Sequence, residues 1–263
     1  MMTRFKRNYF RENLVCLFFL QAIIQTQLEL WSGQPNGRER LQRILTVTEK
    51  LMQIGIFGSG DVAKTLGAGF LKHGHNVMLG TRTPGKLGDW LKQNPKGRTG
   101  SFADTARFAE LGVLAVKGSA SAEAVRLTDG HLKGKVVIDA TNPITDAPPV
   151  DGVLPFFTSY SESLMERLQR EFSTVRFVKA FNSVGAARMV NPHFTGGKPT
   201  MFICGDDDAA KSIVRGVLDA FGWDTADMGK AVAARAVEPL CILWCIPGFR
   251  DNQWTHAFKL LIN

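Results

Sequence analysis

Cysteine is scarce in this chain, and the placement of its few cysteines argues against metal or disulfide chemistry. Four occur among 263 residues, at positions 16, 204, 241 and 245, and none forms a C-x-x-C motif. No histidine lies at metal-ligand spacing from any of them. Cys241 and Cys245 would share one helix face, but a metal site needs further ligands that the sequence does not supply. We therefore expect no metal site, and buried thiols in a reducing compartment, the cytoplasm.

A long hydrophobic run is missing from the N-terminal part. The apolar stretch LVCLFFLQAII has about eleven residues and is too short to span a bilayer as a helix. It follows a basic start, as in a signal peptide, but no A-x-A-like cleavage site comes after it. Residues 1–51 fit three interpretations: a disordered extension produced by an over-extended start, with Met52 the natural initiator, a targeting or membrane-surface segment, or an ordered helical appendage. We favour the first, and we expect no membrane association for residues 52–263.

Charge of one sign is not concentrated in the larger part of the chain. The net charge is +8, and half of it lies in residues 1–51, which hold eight basic and four acidic residues. The modest excess that remains gives little support for a nucleic-acid partner, and it also suits an anionic nucleotide. We therefore expect a small-molecule partner and no nucleic acid.

Strand and helix patterns alternate from residue 53 to residue 229. The predicted strands are 53–58, 76–82, 112–118, 135–143, 175–182, 200–205 and 223–229, and the predicted helices are 61–74, 84–94, 102–110, 121–128, 159–172 (capped by Ser159 or Ser161) and 207–222. This order predicts parallel strands with right-handed crossover helices on both faces. We therefore expect an α/β fold, a doubly wound Rossmann-type parallel sheet over residues 52–229, with a small helical C-terminal part at 230–263.

The first predicted strand runs into the glycine fingerprint G-x-G-x-x-[GA], here Gly58-Ser59-Gly60-Asp61-Val62-Ala63. Gly58 is expected to make the tight turn, and Gly60 to let pyrophosphate oxygens approach the backbone. The N-terminus of the following helix would then hold the phosphates. Asp61 is predicted to face outward, because its charge would repel a pyrophosphate. The strand–turn–helix context favours dinucleotide binding by residues 58–62 over glycines that merely turn the chain.

The end of the second predicted strand lacks an acidic residue, which indicates NADP rather than NAD. An NAD site has Asp or Glu there, about twenty residues after the glycine turn, for the ribose 2′-hydroxyl. Here Arg82 stands at that place, and no acid occurs between residues 75 and 86. A guanidinium can clamp a 2′-phosphate through parallel hydrogen bonds. We predict this role for Arg82, with Lys86 nearby and hydroxyl groups from Thr81 and Thr83, over a merely solvated arginine.

Three later segments follow predicted strands at the same sheet edge, where the nicotinamide end of the cofactor is expected. Their small and amide side chains permit close approach, and the predicted set is Val116, Lys117, Gly118, Ser119, Thr141, Asn142, Pro143 and Asn182. We expect Lys117 and Lys179 to be solvated. No Ser-His-Asp or Cys-His arrangement is present, so no catalytic residue is assigned. Hydride transfer between two bound cofactors requires alignment more than a general acid.

The C-terminal part is rich in large apolar side chains, including Trp244, Phe249, Trp254 and Phe258. These side chains are too many to leave in water. Three roles are open: completing the core, forming a homodimer interface through the C-terminal helices, or walling a second-substrate pocket. The core is the default expectation.

Residues 52–263 resemble the NADPH-dependent F-420 reductases, the NADP oxidoreductases that act with a deazaflavin coenzyme. The resemblance rests on IGIFGSGDVAKTLGAGFLKHGHNVMLGTR, KVVIDATNP, VKAFNSVG, TMFICGDD and the closing EPL and THAFKLL. The chain is also similar to the cytosolic reductase domain of membrane ferric reductases, which pass electrons from NADPH through a flavin. Residues 1–51 have no counterpart in the family pattern.

The family resemblance implies a Rossmann-type domain that holds NADP through Gly58, Ser59, Gly60, Thr81, Arg82 and Lys86. It further implies that hydride passes directly between the nicotinamide and coenzyme F-420 or a related flavin. Residues 117–119 and 141–143 would line that junction. The segment VKGSAS carries smaller residues than its family counterparts, which predicts a different wall for the second substrate.

Two other functions stay open at this stage. The first is an NADPH-dependent dehydrogenase or reductase of a small organic substrate. Such enzymes usually carry a long helical second domain, and only 34 residues follow residue 229. The second is a non-catalytic NADP(H)-sensing module.

We expect a chain that starts at Met52 to fold and to remain active, because the nucleotide-binding pattern begins with the strand that follows this residue. Expression of the full chain and of the shortened chain, compared by circular dichroism and NADPH binding, measures this. An insoluble shortened chain would contradict our interpretation of residues 1–51.

Overall fold

The computed structural model describes residues 51–262, and it is built around a parallel sheet of six strands. The interpretations of residues 1–50 lie outside the described part. The strands of this sheet are β1 Gln53–Phe57, β2 Asn76–Gly80, β3 Arg98–Gly100, β4 Leu111–Leu114, β5 Val136–Asp139 and β6 Arg176–Lys179. Every residue of β4 and β5 is buried. Strands that are buried along their whole length are expected where helices cover both faces of a sheet.

Helices follow most of the strands. They are α1 Asp61–Lys72, α2 Gly88–Gln93, α3 Phe102–Phe108, α4 Ser121–Arg126, α5 Leu164–Glu171, α6 Asp208–Ala220, α7 Ala234–Val237 and α8 Leu240–Asp251. Short 3₁₀ turns directly precede three of them, at Pro84–Leu87, Gly118–Ala120 and Ala231–Ala233, and a further 3₁₀ turn, Ala186–Arg188, lies in the connection after β6. The predicted alternation of strand and helix is therefore confirmed, with boundaries shifted by a few residues at most elements.

The strand order in the sheet is β3-β2-β1-β4-β5-β6. All five neighbouring pairs are parallel. The order reverses between β1 and β4, because the chain first builds outward from β1 to β3 and then outward from β4 to β6. The predicted doubly wound Rossmann-type sheet is thus confirmed. The reversal point is where α/β sheets of this type open a crevice at the carboxyl ends of their strands.

The last two strands do not join this sheet in the predicted way. β7 Thr200–Ile203 and β8 Asp224–Asp227 form a separate parallel pair. A single antiparallel bridge, Lys179–Cys204, connects the pair to the end of β6. A parallel continuation needs a crossover of a dozen or more residues, usually a helix. Residues 180–199 contain one 3₁₀ turn and no α-helix, so the chain turns back instead.

Two further predictions about individual elements were wrong. The edge strand β3 was missed, because its three residues pair with β2 but are too few to show a periodic pattern. Helix α5 starts at Leu164 rather than at 159, and its cap is Ser163. The Ser163 hydroxyl accepts from the Glu166 N–H, and the Glu166 carboxylate accepts from the Ser163 N–H at 2.8 Å. The helix therefore begins after Ser163, which forms this reciprocal capping box, rather than after Ser159 or Ser161.

Apolar side chains form a core on each side of the sheet. β6 shows the alternation, since Phe177 belongs to one core cluster and Val178 to the other, and both are fully buried. Trp223, the largest fully buried side chain, completes the cluster that also contains α1 and α6 residues. The three cysteines of the described part are free and buried, as predicted. Burial raises the pKa of the Cys204 thiol to about 12.

The C-terminal segment 231–251 packs against the core at its beginning. Ala234 and Val237 belong to the same buried cluster as Phe177. Trp244 lies with Cys241 and Cys245 in a smaller third cluster, so the expected core role holds for Trp244. Two other aromatic residues stay partly exposed, Phe249 at 46% and Trp254 at 37%, and Phe258 is half-buried against the third cluster.

One helical stretch in the described part, Ala231–Asp251, is long and apolar enough to cross a membrane by length and composition alone. Within the most apolar 18 residues of this stretch, 39% of the window is buried inside the fold. Core helices of proteins without a membrane span meet the same criterion, so this observation is weak. The expectation of no membrane association stays a prediction.

An ion pair joins this segment to helix α5. The Arg235 guanidinium donates two hydrogen bonds to the Glu166 carboxylate, Nη2–Oε1 at 2.7 Å and Nε–Oε2 at 2.9 Å. The hydrogen bond from Arg235 and those from Ser163 lower the pKa of Glu166 from its ordinary 4.5 to about 2. The carboxylate therefore serves both as helix cap and as anchor for the C-terminal segment.

We expect Glu166→Gln to lower the free energy of unfolding at neutral pH by about 1.5–3 kcal/mol, the range for hydrogen bonds to charged groups. Because the folded-state pKa is lowered, the contribution of Glu166 is complete above pH 4.5 and is lost as the pH falls toward 2. Urea unfolding of both proteins across this pH range measures the difference.

Asp104→Asn is the matched control for this experiment. Asp104 occupies the same place in the capping box of α3, but its arginine partner, Arg107, lies on the same helix and both side chains are more than half exposed. Exposed pairs of this kind contribute little, so a smaller loss is expected. Equal losses in the two variants, or a Glu166 effect independent of pH, would contradict the anchoring role.

Candidate functional site

A cleft opens at the carboxyl ends of β1 and β4, at the point where the strand order reverses. Its volume is about 660 Å³. It is lined by Ser59, Gly60, Asp61, Val62, Arg82, Lys86, Ala115, Val116, Lys117, Ala120 and Ala140. The loops after β1, β2, β4 and β5 therefore meet here. The structure thus brings together both ends of the predicted nucleotide site, the glycine turn with Arg82 and the residues after β4.

The glycines of the fingerprint have different surroundings. Gly58 has a φ of +145°, and a Cβ on it would lie 2.2 Å from the Ala115 carbonyl oxygen. Only glycine fits there, since both the backbone conformation and the close approach of β4 exclude a side chain. A Cβ on Gly60, in contrast, would have no atom within 4 Å. Gly58 therefore shapes the turn, whereas Gly60 leaves open space in the cleft.

The N-terminus of α1 points its uncapped end at this turn. Gly60 is the N-cap residue and provides no side-chain cap. The first N–H groups of a helix have no intrahelical acceptor, and together with the helix dipole they favour an anion. Asp61 is exposed, as expected, yet it also belongs to the cleft lining. Its carboxylate is the one acidic group in the lining.

Two cationic side chains stand at the far rim of the cleft. Arg82 and Lys86 are both exposed. Within residues 51–262, neither forms an ion pair, although 16 ion pairs occur there. Two cations without a carboxylate partner at a concave surface are suited to bind an anion.

The predicted threonines shape the loop that carries Arg82. Thr81 is buried, and its Oγ1 accepts from the Thr83 N–H at 3.1 Å and lies 3.3 Å from the Thr83 carbonyl oxygen, to which it donates. Neither threonine lines the cleft. The hydroxyl of Thr81 is therefore used inside the loop, while Thr83 is exposed.

A second pocket of about 320 Å³ continues from the cleft. The two cavities share Val116, Lys117 and Ala140, and the second adds Gly118, Thr141, Asn142, Ile144, Thr145 and Asp146. A Cβ on Gly118 would lie 2.0 Å from the Asn142 carbonyl oxygen, so the loops after β4 and β5 touch at this point. Five of the residues predicted for the nicotinamide end thus line one pocket, namely Val116, Lys117, Gly118, Thr141 and Asn142.

The other predicted residues of this group lie outside the pocket lining. Ser119 is exposed, and Pro143 is buried behind the wall. Asn182 is also buried and supports Asn142. Its Nδ2 donates to the Asn142 Oδ1 at 3.3 Å, and the Asn142 Nδ2 donates to the Asn182 carbonyl at 2.8 Å. Asn182 therefore contacts the pocket wall rather than the pocket.

Lys117 is solvated, as predicted, and pairs with Asp146 across the mouth of the second pocket. The Nζ–Oδ1 distance is 2.7 Å, and both side chains are more than three-quarters exposed. The hydrogen bond and the charge of Lys117 lower the pKa of the Asp146 carboxyl. These two groups are the ionisable side chains of this pocket.

The prediction for Lys179 was wrong, since this side chain is fully buried. Its Nζ lies 2.6 Å from the Asp139 Oδ2 and 2.9 Å from the Glu238 Oε1. Burial alone would lower the pKa of Lys179, but the two carboxylates outweigh it and the pKa is raised. Sequence reasoning missed this network. A usable signal existed in Asp139, an acid that ends an apolar strand and lies directly opposite Lys179 in the sheet register.

The described residues, 51–262, contain no group of three or more His, Cys, Asp or Glu side chains that could hold a metal ion. A further cavity of about 230 Å³ lies between residues 156–163 and the start of the C-terminal helices. None of the residues predicted for the nucleotide site lines it.

The sequence and fold of this chain are similar to those of known oxidoreductases. Residues 53–143 match the family described as NADP oxidoreductase, coenzyme F420-dependent. The chain is 31% identical to a protein from Arthrobacter sp. FB24 whose crystal structure was solved as a candidate F420-dependent NADP reductase. That match has a TM-score of 0.76 and covers 80% of this chain and 100% of the Arthrobacter chain.

Two further similarities concern other reductases. The metalloreductase STEAP3 of Rattus norvegicus is 31% identical over 215 residues, which cover 76% of this chain and 39% of STEAP3. This chain therefore spans well under half the length of that relative. A reductive aminase from Aspergillus terreus, solved with NADPH, shares the fold at 18% identity, with a TM-score of 0.57, over 77% of this chain and 64% of its own.

The match to the Arthrobacter protein extends over that protein's whole length, and the family profile covers the part of this chain that builds the cleft from β1 to the loop after β5. Both the Arthrobacter protein and STEAP3 are described as reductases. This chain belongs to the family of coenzyme F420-dependent NADP oxidoreductases.

Proposed function

We propose that the protein transfers a hydride between NADP(H) and a deazaflavin, coenzyme F-420, or a related flavin acceptor. The observation that carries this proposal is the continuity of two cavities. One cavity runs from the glycine turn and Arg82 to Val116 and Lys117, and the other continues from there between the loops after β4 and β5. A dinucleotide in the first would bring its reactive end to the second. Residues 52–229 form the NADP-binding domain in this proposal, and 230–263 the helical C-terminal segment.

The adenosine end is assigned to the loops after β1 and β2. Arg82 and Lys86 would bind the 2′-phosphate, for which their lack of a carboxylate partner in the described chain leaves them available. Thr81 and Thr83 would hold the loop that presents Arg82. This assignment explains why a cation rather than an acid follows β2.

The pyrophosphate is assigned to the turn between β1 and α1. The open space at Gly60 would receive it, and the uncapped N–H groups of α1 would donate to its oxygens. Gly58, Ser59, Asp61 and Val62 complete this turn. Asp61 would have to keep its carboxylate at the solvent side of the lining.

The nicotinamide end is assigned to the second pocket. When bound, the nicotinamide would give up the transferred hydride in its reduced form and accept it in its oxidised form. Val116, Lys117 and Gly118 would form one wall and Thr141 and Asn142 the other, while Ser119, Pro143 and Asn182 would support them from outside. The task of these residues is to hold two planar rings in contact and to keep water away. No residue is assigned as a general acid or base.

A ferric reductase activity through a flavin is a second candidate. It is favoured by the 31% identity to the metalloreductase STEAP3. Both candidates use the same NADP site and differ in the acceptor. Val116, Lys117 and Gly118, the first three residues of the segment VKGSAS, line the pocket that the acceptor would meet, so this segment bears on the choice.

We expect Arg82→Ala to weaken NADPH binding by about 1.5–3 kcal/mol, the range for hydrogen bonds to charged groups. NADH binding should hardly change, because NADH lacks the 2′-phosphate. Titration of both nucleotides by intrinsic fluorescence measures the difference. Arg107→Ala, an exposed arginine that does not line the cleft, is the control and should change neither. Equal losses for NADPH and NADH would contradict the assignment of Arg82.

We expect NADPH absorbance to fall rapidly when coenzyme F-420 is added to the protein. FMN and a ferric chelate are tested in parallel. Turnover with flavin or iron alone would move the function to a general flavin-dependent reductase. Turnover with a small imine or carbonyl substrate alone would favour the dehydrogenase alternative. Tight NADPH binding without any turnover would favour a sensing module.

A further inference from the structure

A buried charge network connects the second pocket with the C-terminal segment. Its centre is Lys179 at the end of β6, with Asp139 at the end of β5 and Glu238 between α7 and α8. All three side chains are at least 98% buried. Removing one member of a buried ion pair leaves an uncompensated charge in a low-dielectric interior, which is strongly destabilising. Each of the three groups therefore depends on the others.

Asp139 and Lys179 of this network both form hydrogen bonds with Thr141. The N–H and the hydroxyl of Thr141 donate to the Asp139 Oδ1, at 2.9 Å and 2.6 Å. The carbonyl oxygen of the same residue accepts from the Lys179 Nζ at 2.9 Å. Every polar group of Thr141 is thus engaged. Because Thr141 and Asn142 line the second pocket, the network fixes the backbone of the pocket wall without entering the pocket.

The C-terminal segment reaches this wall by two routes. The Glu238 carboxylate accepts from Lys179 and also from the N–H groups of Leu164 and Met165, each at 3.0 Å. By the second route, the Val237 carbonyl accepts from the Asn182 Nδ2 at 2.9 Å, and Asn182 is paired with Asn142. Val237 is therefore hydrogen-bonded to Asn182, and the adjacent Glu238 is paired with Lys179. Asn182 and Lys179 are the two residues that support the pocket wall.

We propose that Lys179 and Glu238 are positioning residues for hydride transfer, because they hold the wall of Thr141 and Asn142 in the geometry that receives the nicotinamide ring. The rate of hydride transfer thereby depends on the docking of the C-terminal segment. This inference rests on the proposed function. The groups assigned to the phosphates lie at the other end of the cleft, so loss of either residue is expected to change the Kd of the cofactor little.

The fold supplies a matched control in Lys211. This lysine is 95% buried, pairs with two carboxylates, Asp208 at 3.0 Å and Asp227 at 3.0 Å, and donates to the Gly229 carbonyl. It resembles Lys179 in its own burial and in pairing with two carboxylates, although the Asp208 carboxylate is largely exposed, and it connects α6 to the end of β8, away from the pocket wall. Lys211→Met therefore reproduces the loss of a buried lysine without touching the pocket wall.

The test compares Lys179→Met, Glu238→Gln and Lys211→Met in the full chain. Four quantities are measured: the Kd of NADPH, the nicotinamide fluorescence of bound NADPH, its anisotropy, and the rate of NADPH oxidation with the acceptor that the unaltered protein uses. We expect Lys179→Met and Glu238→Gln to keep the Kd, and to lose the fluorescence change that reports an immobilised nicotinamide. Lys179→Met should lower kcat by about 100-fold, the effect of displacing a reacting group by about 1 Å. Lys211→Met should be less stable but otherwise unchanged.

A purely structural role would give a different result. If the Lys179 and Glu238 variants lose only stability, to the same degree as Lys211→Met, and keep the fluorescence signature and kcat, the inference is overturned. If Lys179→Met does not fold, Glu238→Gln carries the same test, because glutamine keeps the shape of the side chain and one acceptor oxygen. Failure of the unaltered protein to bind or oxidise NADPH would count against the proposed function instead.

Discussion

The parallel direction of the six-stranded sheet is the constraint on which the site depends. All carboxyl ends of its strands lie at one edge, so the loops that follow them are neighbours in space although they are distant in sequence. The chain winds outward from β1 in one direction and from β4 in the other. The loops on the two sides of that point diverge and leave the cleft open. The glycine turn, Arg82 and Val116 share one cavity for this reason.

A second constraint is the buried lysine at the end of β6. A cation without access to water requires partners inside the fold, and Lys179 finds them in the neighbouring strand and in the C-terminal segment. The network therefore decides where residues 237 and 238 lie. The C-terminal segment therefore helps to hold the pocket wall in place, through Val237 and Glu238.

The chemistry available in the pocket is narrow. Its ionisable groups, Lys117 and Asp146, are exposed and paired with each other, and the rest of the lining consists of small, hydroxyl, amide and apolar residues. Such a lining suits the binding and orientation of cofactors that carry their own reactivity. It is consistent with an oxidoreductase that moves a hydride between two bound rings.

The sequence by itself determined the fold class and most of the cleft. Alternating buried strands and amphipathic helices require a layered parallel sheet, and the glycine fingerprint with a cation after β2 predicts a nucleotide site, because these signals are local and periodic. Gly60, Arg82, Lys86 and Val116 were found in this way and do line one cavity. The short strand β3 and the cap at Ser163 were missed, since three residues show no period and several serines compete for one helix start.

Only the tertiary structure decided the contacts between distant segments. The turning back of the chain after β6 depends on how residues 180–199 pack, and no local pattern reports it. The burial of Lys179 depends on Asp139 and Glu238, which are 40 and 59 residues away in the sequence. Local composition suggests a solvated lysine because most lysines are solvated. Charge pairing in the interior is a property of the assembled fold, and it becomes visible only when the strands and the C-terminal segment are in place.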